Sequence, residues 1–398
     1  MKNNLLQKDI PKNWKRVTLG EICDIKKGEQ LNKLDMISNS QYPVLNGGIN
    51  YSGYTENWNT ESGTITISEG GNSCGYINFV NTKFWCGGHC YSLLNINDNF
   101  DKSFLYQILK AKQDKLMRLR VGSGLPNIQK KSLQEFILNI PTILEQKKIS
   151  EILSKVDEEI NKTDELVSKT EKLKTGLINE LFTKGIDHKK FKKTKLGDIP
   201  EEWEVKKLGE IASITRGGSP RPIESYITED EDGLNWLKIG DIETGAKYIY
   251  KTTQKIKKIG LYKTTMVNID DFILSNSMSF GRPYIMKINA CIHDGWLAFK
   301  DIKTDLIIKD YLYYLLSSKD IQDIFRSISA GSGVRNLKRE SVSNVFIKLP
   351  SIKEQQKISE VLSLIDRKLE KQKELKEKLI KLKKGLMSDL LSGKVRVN

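Results

Sequence analysis

Pro141-Thr142-Ile143-Leu144-Glu145-Gln146-Lys147-Lys148-Ile149-Ser150-Glu151-Ile152-Leu153-Ser154-Lys155-Val156-Asp157 returns 209 residues later as Pro350-Ser351-Ile352-Lys353-Glu354-Gln355-Gln356-Lys357-Ile358-Ser359-Glu360-Val361-Leu362-Ser363-Leu364-Ile365-Asp366. The repeat continues through 141–185 and 350–394, with 21 identities in 45 positions. In the first copy Ile149, Leu153, Val156, Ile160, Val167, Leu173, Leu177 and Leu181 recur at three, four or their sums. The second copy gives Ile358, Leu362, Ile365, Leu369, Leu379, Leu382, Leu386 and Leu390. Each series is the apolar stripe of a long helix. Thr142-x-x-Glu145 and Ser351-x-x-Glu354 are predicted capping boxes. Pro141 and Pro350 stop the preceding strand, and Gly185 and Gly393 are suitable terminators. A helix of about 40 residues is about 60 Å long and cannot bury such a stripe on a small domain. The expected partner is the other copy, antiparallel to it about a pseudo-twofold axis, as a coiled coil. Packing on its own domain or on another subunit is the alternative. Thr163, Thr170, Gln372 and Lys376 interrupt the stripes, as register devices or contact points for other proteins.

Outward from the helices, the chain repeats its openings too. Ile10-Pro11-x-x-Trp14, Leu19-Gly20-Glu21-Ile22, Ile25 and Gly28 match Ile199-Pro200-x-x-Trp203, Leu208-Gly209-Glu210-Ile211, Ile214 and Gly217, nine identities in nineteen positions at an offset of 189. Two offsets place about 20 extra residues inside the second half's variable stretch. Between the repeated blocks the halves barely align. Short apolar and β-branched runs there, such as Thr64-Ile65-Thr66-Ile67 and Phe272-Ile273-Leu274, are bounded by Gly, Asn and Ser and predict strands. Helical runs over 102–120 and 309–329 precede a Gly-Ser-Gly loop in each half. The fold class is therefore α+β, with two globular domains joined by the helix pair. Two modules that begin and end alike but differ between suit two different targets.

Composition narrows the function. The 398 residues carry 65 Lys and Arg against 50 Asp and Glu, a net charge of +15, which favours a polyanionic partner. No apolar run approaches a membrane span, and the first residues lack a signal-peptide core, so a cytoplasmic protein is expected. Five cysteines form no disulfide framework. Cys86-Gly87-Gly88-His89-Cys90, with Cys74 nearby, admits a zinc reading, but adjacent His89 and Cys90 would strain to serve one ion, and buried thiols fit better. No phosphate-binding P-loop, dinucleotide fingerprint or Asn-Pro-Pro-aromatic motif occurs, and His89, His188 and His293 have no catalytic partner at a telling spacing. No catalytic, cofactor or metal residue is assigned.

The loops after the domain helices are the candidate contact sites. Arg118, Arg120, Gly122, Ser123, Gly124, Asn127, Lys130 and Lys131 correspond to Arg326, Gly331, Ser332, Gly333, Arg335, Asn336, Lys338 and Arg339. Glycine exposes backbone amides and the cations supply charge for gripping phosphates. A tight turn with solvated bases fits equally well. Base-reading side chains are expected from the unmatched segments.

The Ile-Pro-x-x-Trp…Leu-Gly-Glu-Ile openings and the Pro-x-Ile-x-Glu-Gln-x-Lys-Ile-Ser-Glu-x-Leu-Ser-x-x-Asp helix starts, each present twice, resemble the specificity subunit of type I restriction-modification systems over roughly 10–394. The resemblance implies target recognition domains at 1–141 and 199–350, spacer helices at 142–185 and 351–394, and a linker at 186–198. It implies a split double-stranded DNA target, two docked modification (methyltransferase) subunits and further restriction subunits. S-adenosylmethionine, ATP and Mg2+ would then belong to those partners, with none in this chain. A coiled-coil adaptor binding only proteins is the alternative function.

Overall fold

The computed structural model describes residues 11–38, 40–122, 124–242, 245–276, 281–329 and 336–397. Of the sites anticipated above, Ser123, Gly331, Ser332, Gly333 and Arg335 lie outside them. The chain divides into two units, 1–165 with 373–398 and 166–372, so each unit takes part of both long helices.

Both units open with the same physical device. Strand Lys15–Thr18 pairs antiparallel with Ile137–Ile140, Lys15 opposite Ile140; in the second unit Glu204–Lys207 pairs with Phe346–Leu349, Glu204 opposite Leu349. The Leu-Gly-Glu-Ile that follows is a four-residue helix capped by its own acid, since Glu21 accepts the Thr18 amide at 2.6 Å and the Thr18 hydroxyl at 2.9 Å. Glu210 accepts the Lys207 amide in the same way. Leu19, Ile22, Leu208 and Ile211 are buried. Glycine eases the packing between them, since a Cβ on Gly20 would stand a tight 3.2 Å from the Gln134 backbone, and one on Gly209 3.1 Å from Ser343.

Two sheets follow in each unit. The first unit has a four-stranded antiparallel sheet in the order Asp24–Lys27, Cys90–Leu94, Thr64–Ser68, Ile77–Val80, and a three-stranded one, Gly53–Thr55, Tyr42–Leu45, Trp85–Cys86. The second has five strands in each: Ser213–Arg216, Trp296–Lys300, Phe272–Ser275, Pro283–Met286, Tyr248–Ile249, then Ile227–Thr228, Gln254–Ile256, Leu234–Leu237, Ala290–Ile292, Thr265–Val267. The extra length of the second half thus extends its sheets. The runs predicted as single helices are each broken in two, Lys102–Ala111 and Gln113–Met117, then Lys309–Ser317 and Lys319–Ser329. Lys112 and Ser318 leave helical geometry at ψ 11° and 152°.

The repeated block forms helices Ile143–Leu181 and Ile352–Leu390. In the first unit Lys383 meets Asp157 at 2.6 Å and Lys376 meets Asp164, so one index falls as the other rises and the pair is antiparallel. In the second unit Lys174 meets Asp366 at 2.6 Å. Their buried and half-buried faces repeat every seven residues, the period of a coiled-coil seam. On the first helix it comprises Leu153, Val156, Ile160, Thr163, Val167, Thr170, Lys174, Leu177 and Leu181. The second presents Leu362, Ile365, Leu369, Gln372, Lys376, Leu379, Lys383, Leu386 and Leu390. Two predicted interface residues are corrected by this period. Leu173 and Leu382, 54% and 52% exposed, fall one position before seam residues and flank it, and Lys174 and Lys383 take their places. The supposed interruptions Thr163 and Thr170 are buried, each hydroxyl donating to the carbonyl four residues back at 2.7 Å, which leaves an apolar methyl available to the seam.

The opening turns of each helix also seat a domain on it. Ile149, Leu153, Ile358 and Leu362 are fully buried in the domain cores, each stabilising by about 1.5–3 kcal/mol. Gln146 accepts the Asp101 amide at 2.8 Å and donates to the Asn99 and Pro141 carbonyls; Gln355 treats Ile308, Leu306 and Pro350 alike. Asp157 accepts Lys383 on one oxygen and Gln107 on the other, and Asp366 accepts Lys174 and the Tyr314 hydroxyl. The capping boxes are only half formed. Thr142 and Ser351 accept the amides of Glu145 and Glu354 at 3.4 and 3.3 Å, but the carboxylates turn to other partners. Glu145 holds Arg396 through two oxygens at 2.6 and 2.8 Å, whereas Glu354 takes the Ile186 amide, His188 and the Trp203 indole at 2.9 Å each.

Candidate nucleic-acid interface

In the first unit, loops from five places in the sequence converge on one end of the four-stranded sheet. The amide of Gly28 donates to Cys90 at 2.8 Å and that of Glu29 to Cys86 at 2.9 Å, an approach so close that any side chain at Gly28 would run into the Gly87 carbonyl. Gly47, at φ +81°, lies against the His89 carbonyl for the same reason, and its own carbonyl accepts the Ser68 and Ser73 hydroxyls. The Gly70-Gly71 turn meets the predicted Gly-Ser-Gly loop through Gly71 N–H to Pro126 at 2.9 Å. Mutual amide-to-carbonyl bonds between Val121 and Asn127, at 2.8 and 3.0 Å, close that loop.

A half-buried acid organises this end. Glu69 accepts Lys27 at 2.5 Å and the Tyr91 hydroxyl at 3.2 Å, with His89 Nδ1 3.6 Å away, and its carbonyl accepts the Ile128 amide at 2.8 Å. Burial first, and then the Glu69 charge, push the Tyr91 hydroxyl up to about 12. Around the acid, Arg118, Arg120, Gly122, Gly124, Asn127, Lys130 and Lys131 are all exposed. Lys131 has only a 3.9 Å surface pair with Glu135, and Arg118, Arg120 and Lys130 form no ion pair among the described residues. Solvated cations beside such a turn can donate to phosphate oxygens. The thiols take no part: Cys86 and Cys90 are buried with Leu45, Val80 and Phe84, and burial raises the Cys74 thiol.

The second unit builds the same end from other residues. Arg216 occupies the place of Lys27 and donates to the Asp294 carbonyl at 2.9 Å, while the Asp294 carboxylate accepts Ser219 at 2.7 Å. Burial works against that carboxylate, but Ser219, His293 and Arg216 outweigh it and hold its pKa low. Asn276 stands where Glu69 does, its carbonyl accepting the Leu337 amide at 2.9 Å; its side chain donates to the Asp294 carbonyl, and its buried Oδ1 has no partner among the described residues. Burial lowers His293, and the Gly295 amide donates to its Nδ1 at 2.6 Å, which favours the neutral ring. Of the predicted cations, Arg326 is held by Asp323 and Arg339 by Glu340, Lys338 is exposed, and Asn336 is half-buried.

Lys27, Glu69 and His89, and Arg216, Asn276, His293 and Asp294, were not anticipated as parts of these ends. One signal was present: Lys27 and Arg216 are both basic and both immediately precede a glycine of the repeated opening. Besides Phe191, the large exposed aromatics belong to the unmatched stretches within the domains, Tyr51, Tyr54 and Trp58 in the first unit and Tyr250 and Tyr262 in the second. Lys83 lies 3.7 Å over the Trp58 ring.

The chain matches the family model described as the type I restriction modification DNA specificity domain twice, over 11–167 and 200–379. It is 28% identical to the type I restriction enzyme MjaVIII specificity subunit of Methanocaldococcus jannaschii, covering 98% of this chain and 94% of that one. A putative type I specificity subunit of Mycoplasma pneumoniae is 27% identical over 95% of this chain and 96% of its own. Among solved structures, the type I restriction-modification S subunit from M. genitalium superposes with a TM-score of 0.65 at 24% identity, covering 97% of each chain.

Proposed function

Because the chain belongs to the type I restriction-modification DNA specificity family, we propose that it reads a bipartite double-stranded DNA target, one half-sequence with each unit. The carrying observation is the loop end built twice on the same frame, with backbones brought close at glycines and with basic side chains, but with different polar residues, Lys27 and Glu69 against Arg216 and Asn276. Phosphate contacts from these ends would set register, and the exposed aromatics and polar groups of the unmatched stretches would read bases. The long helices act as the spacer between half-sites. Leu166, Leu173, Leu364, Leu375 and Leu382, exposed away from the seam, offer apolar contacts for two modification subunits, with restriction subunits joining the assembly. S-adenosylmethionine, ATP and Mg2+ are assigned to those subunits, and this chain performs no bond-breaking step.

Methylation mapping of host DNA tests the reading. A bipartite motif is expected, and replacing 30–120 with the corresponding stretch of a relative should change one half-sequence only. A matched insertion of seven residues near 165 and 374 should lengthen the gap and leave both half-sequences intact. Loss of both halves on the first exchange, or an unchanged gap on the second, would reject independent modules on a spacer. A coiled-coil adaptor would instead leave DNA affinity of the complex equal to that of its methyltransferase alone.

A further inference from the structure

The two matched family segments leave 168–199 uncovered, and in this interval the chain departs from a plain linker. Strand Phe191–Thr194 folds back antiparallel on Gly197–Pro200, with Phe191 opposite Pro200 and Thr194 opposite Gly197. The turn is well specified: Gly197 has φ +84°, and the Thr194 hydroxyl donates to its carbonyl at 2.8 Å while accepting the Leu196 amide at 3.1 Å. Ile199, in the returning strand, is fully buried in the second unit's core and anchors the hairpin. The outgoing strand and its approach are His188-Lys189-Lys190-Phe191-Lys192-Lys193-Thr194-Lys195.

Five lysines fall within the seven residues 189–195, the densest basic run near the modules, with Asp187, Asp198, Glu201 and Glu202 as the nearby acids. Lys195 lies over the Phe346 ring and is accounted for. Lys189, Lys190, Lys192 and Lys193 are exposed, and none forms an ion pair among the described residues. A structural role would pair such charges or turn them along apolar surface. Lysine is also depleted from the cores of protein interfaces, whereas it serves well as a point-charge phosphate contact. Lys190 immediately precedes the strand, its carbonyl accepting the Glu201 amide at 3.1 Å, so it and Lys192 lie about 6.6 Å apart along extended chain. The first half has no equal: the nine residues before its Ile-Pro-x-x-Trp hold Lys2 and Lys8, where 190–198 hold four lysines.

We infer that the 191–200 hairpin is a sequence-independent clamp on the phosphate backbone of DNA flanking the half-site read by the second unit. The inference rests on the DNA-reading function proposed above and adds a contact outside both recognition modules. It makes the complex's footprint asymmetric.

The test uses the chain assembled with its modification partner and a duplex carrying the methylation-mapped target, titrated between about 50 and 300 mM salt. The variant K189Q/K190Q/K192Q/K193Q is expected to bind about 5–50-fold more weakly at low salt, with the slope of log K against log salt reduced by about 2–4. Hydroxyl-radical protection should shorten beyond the second unit's half-site alone, with the methylated sequence unchanged. The all-arginine replacement should restore slope and footprint. An unchanged slope and footprint would overturn the clamp, and so would loss of subunit assembly with DNA binding intact, which would make the hairpin a protein contact. If the wild-type complex cannot distinguish target from scrambled duplex, the recognition function fails instead, and the slope comparison still judges the hairpin.

Discussion

The two units close the same joint with different chemistry. In the second, Glu354 at the start of one long helix collects His188, the Trp203 indole and the Ile186 amide, all delivered just after the other helix stops at Gly185. In the first, Glu145 collects Arg396, from beyond the stop at Gly393, and the buried Trp14 indole has no acceptor among the described residues. Both glycines have positive φ, 68° and 72°, and both lie against the tryptophan of the Ile-Pro-x-x-Trp motif. Each joint stops one helix on a tryptophan and satisfies the carboxylate that opens its antiparallel neighbour. The residues that do so are free to change.

Glu354→Ala should therefore have the largest effect, since it strands three donors in a buried site. A loss of about 2–4 kcal/mol is expected, with hydrogen exchange accelerating in the second unit and not in the first. Arg396→Ala should do the converse, speeding exchange around 143–165 and lowering that unit's melting temperature by several degrees. Equal response of both units to either variant would break the comparison. Smaller again is Gly185→Ala, which forces a Cβ into a left-handed residue facing His188 and Trp203 and should cost about 1–3 kcal/mol in thermal denaturation. The least effect is a pH term confined to the second unit. Burial depresses His293, so the folded unit binds fewer protons than the unfolded chain; its stability is full above the ordinary histidine range and is lost as pH falls through the lowered value. Melting at pH 5 and 7.5 should show a deficit at the lower pH that His293→Asn reduces, and an unaltered deficit would assign it elsewhere.

Much of the architecture is legible in the chain itself. Duplicated openings, the long helices and their stops follow from local chemistry: prolines, glycines and a stripe of leucines. The detailed seam does not, because a leucine beside the stripe looks the same in one dimension whether it faces the neighbour or the solvent. Leu173 and Leu382 face solvent, while Lys174 and Lys383 enter the seam only because Asp366 and Asp157 wait across it. The loop end is half legible. Arg118 and Arg120 stand where glycine and charge suggest, but Glu69 and Asn276 come to that end through sheet registry, which joins residues more than 20 positions apart in each strand pair. The extended sheets of the second unit arise from stretches with no counterpart to align.

Order of synthesis follows from how the units are cut from the chain. Every part of the second unit, 166–372, is contiguous, so it can finish folding as soon as it has left the ribosome. The first unit needs 373–398 to complete it, and the guanidinium that neutralises Glu145 arrives 251 residues after that glutamate has been translated. The half that is made first is completed last, and until then it exposes the apolar ground that Leu386, Leu390 and Leu391 will cover.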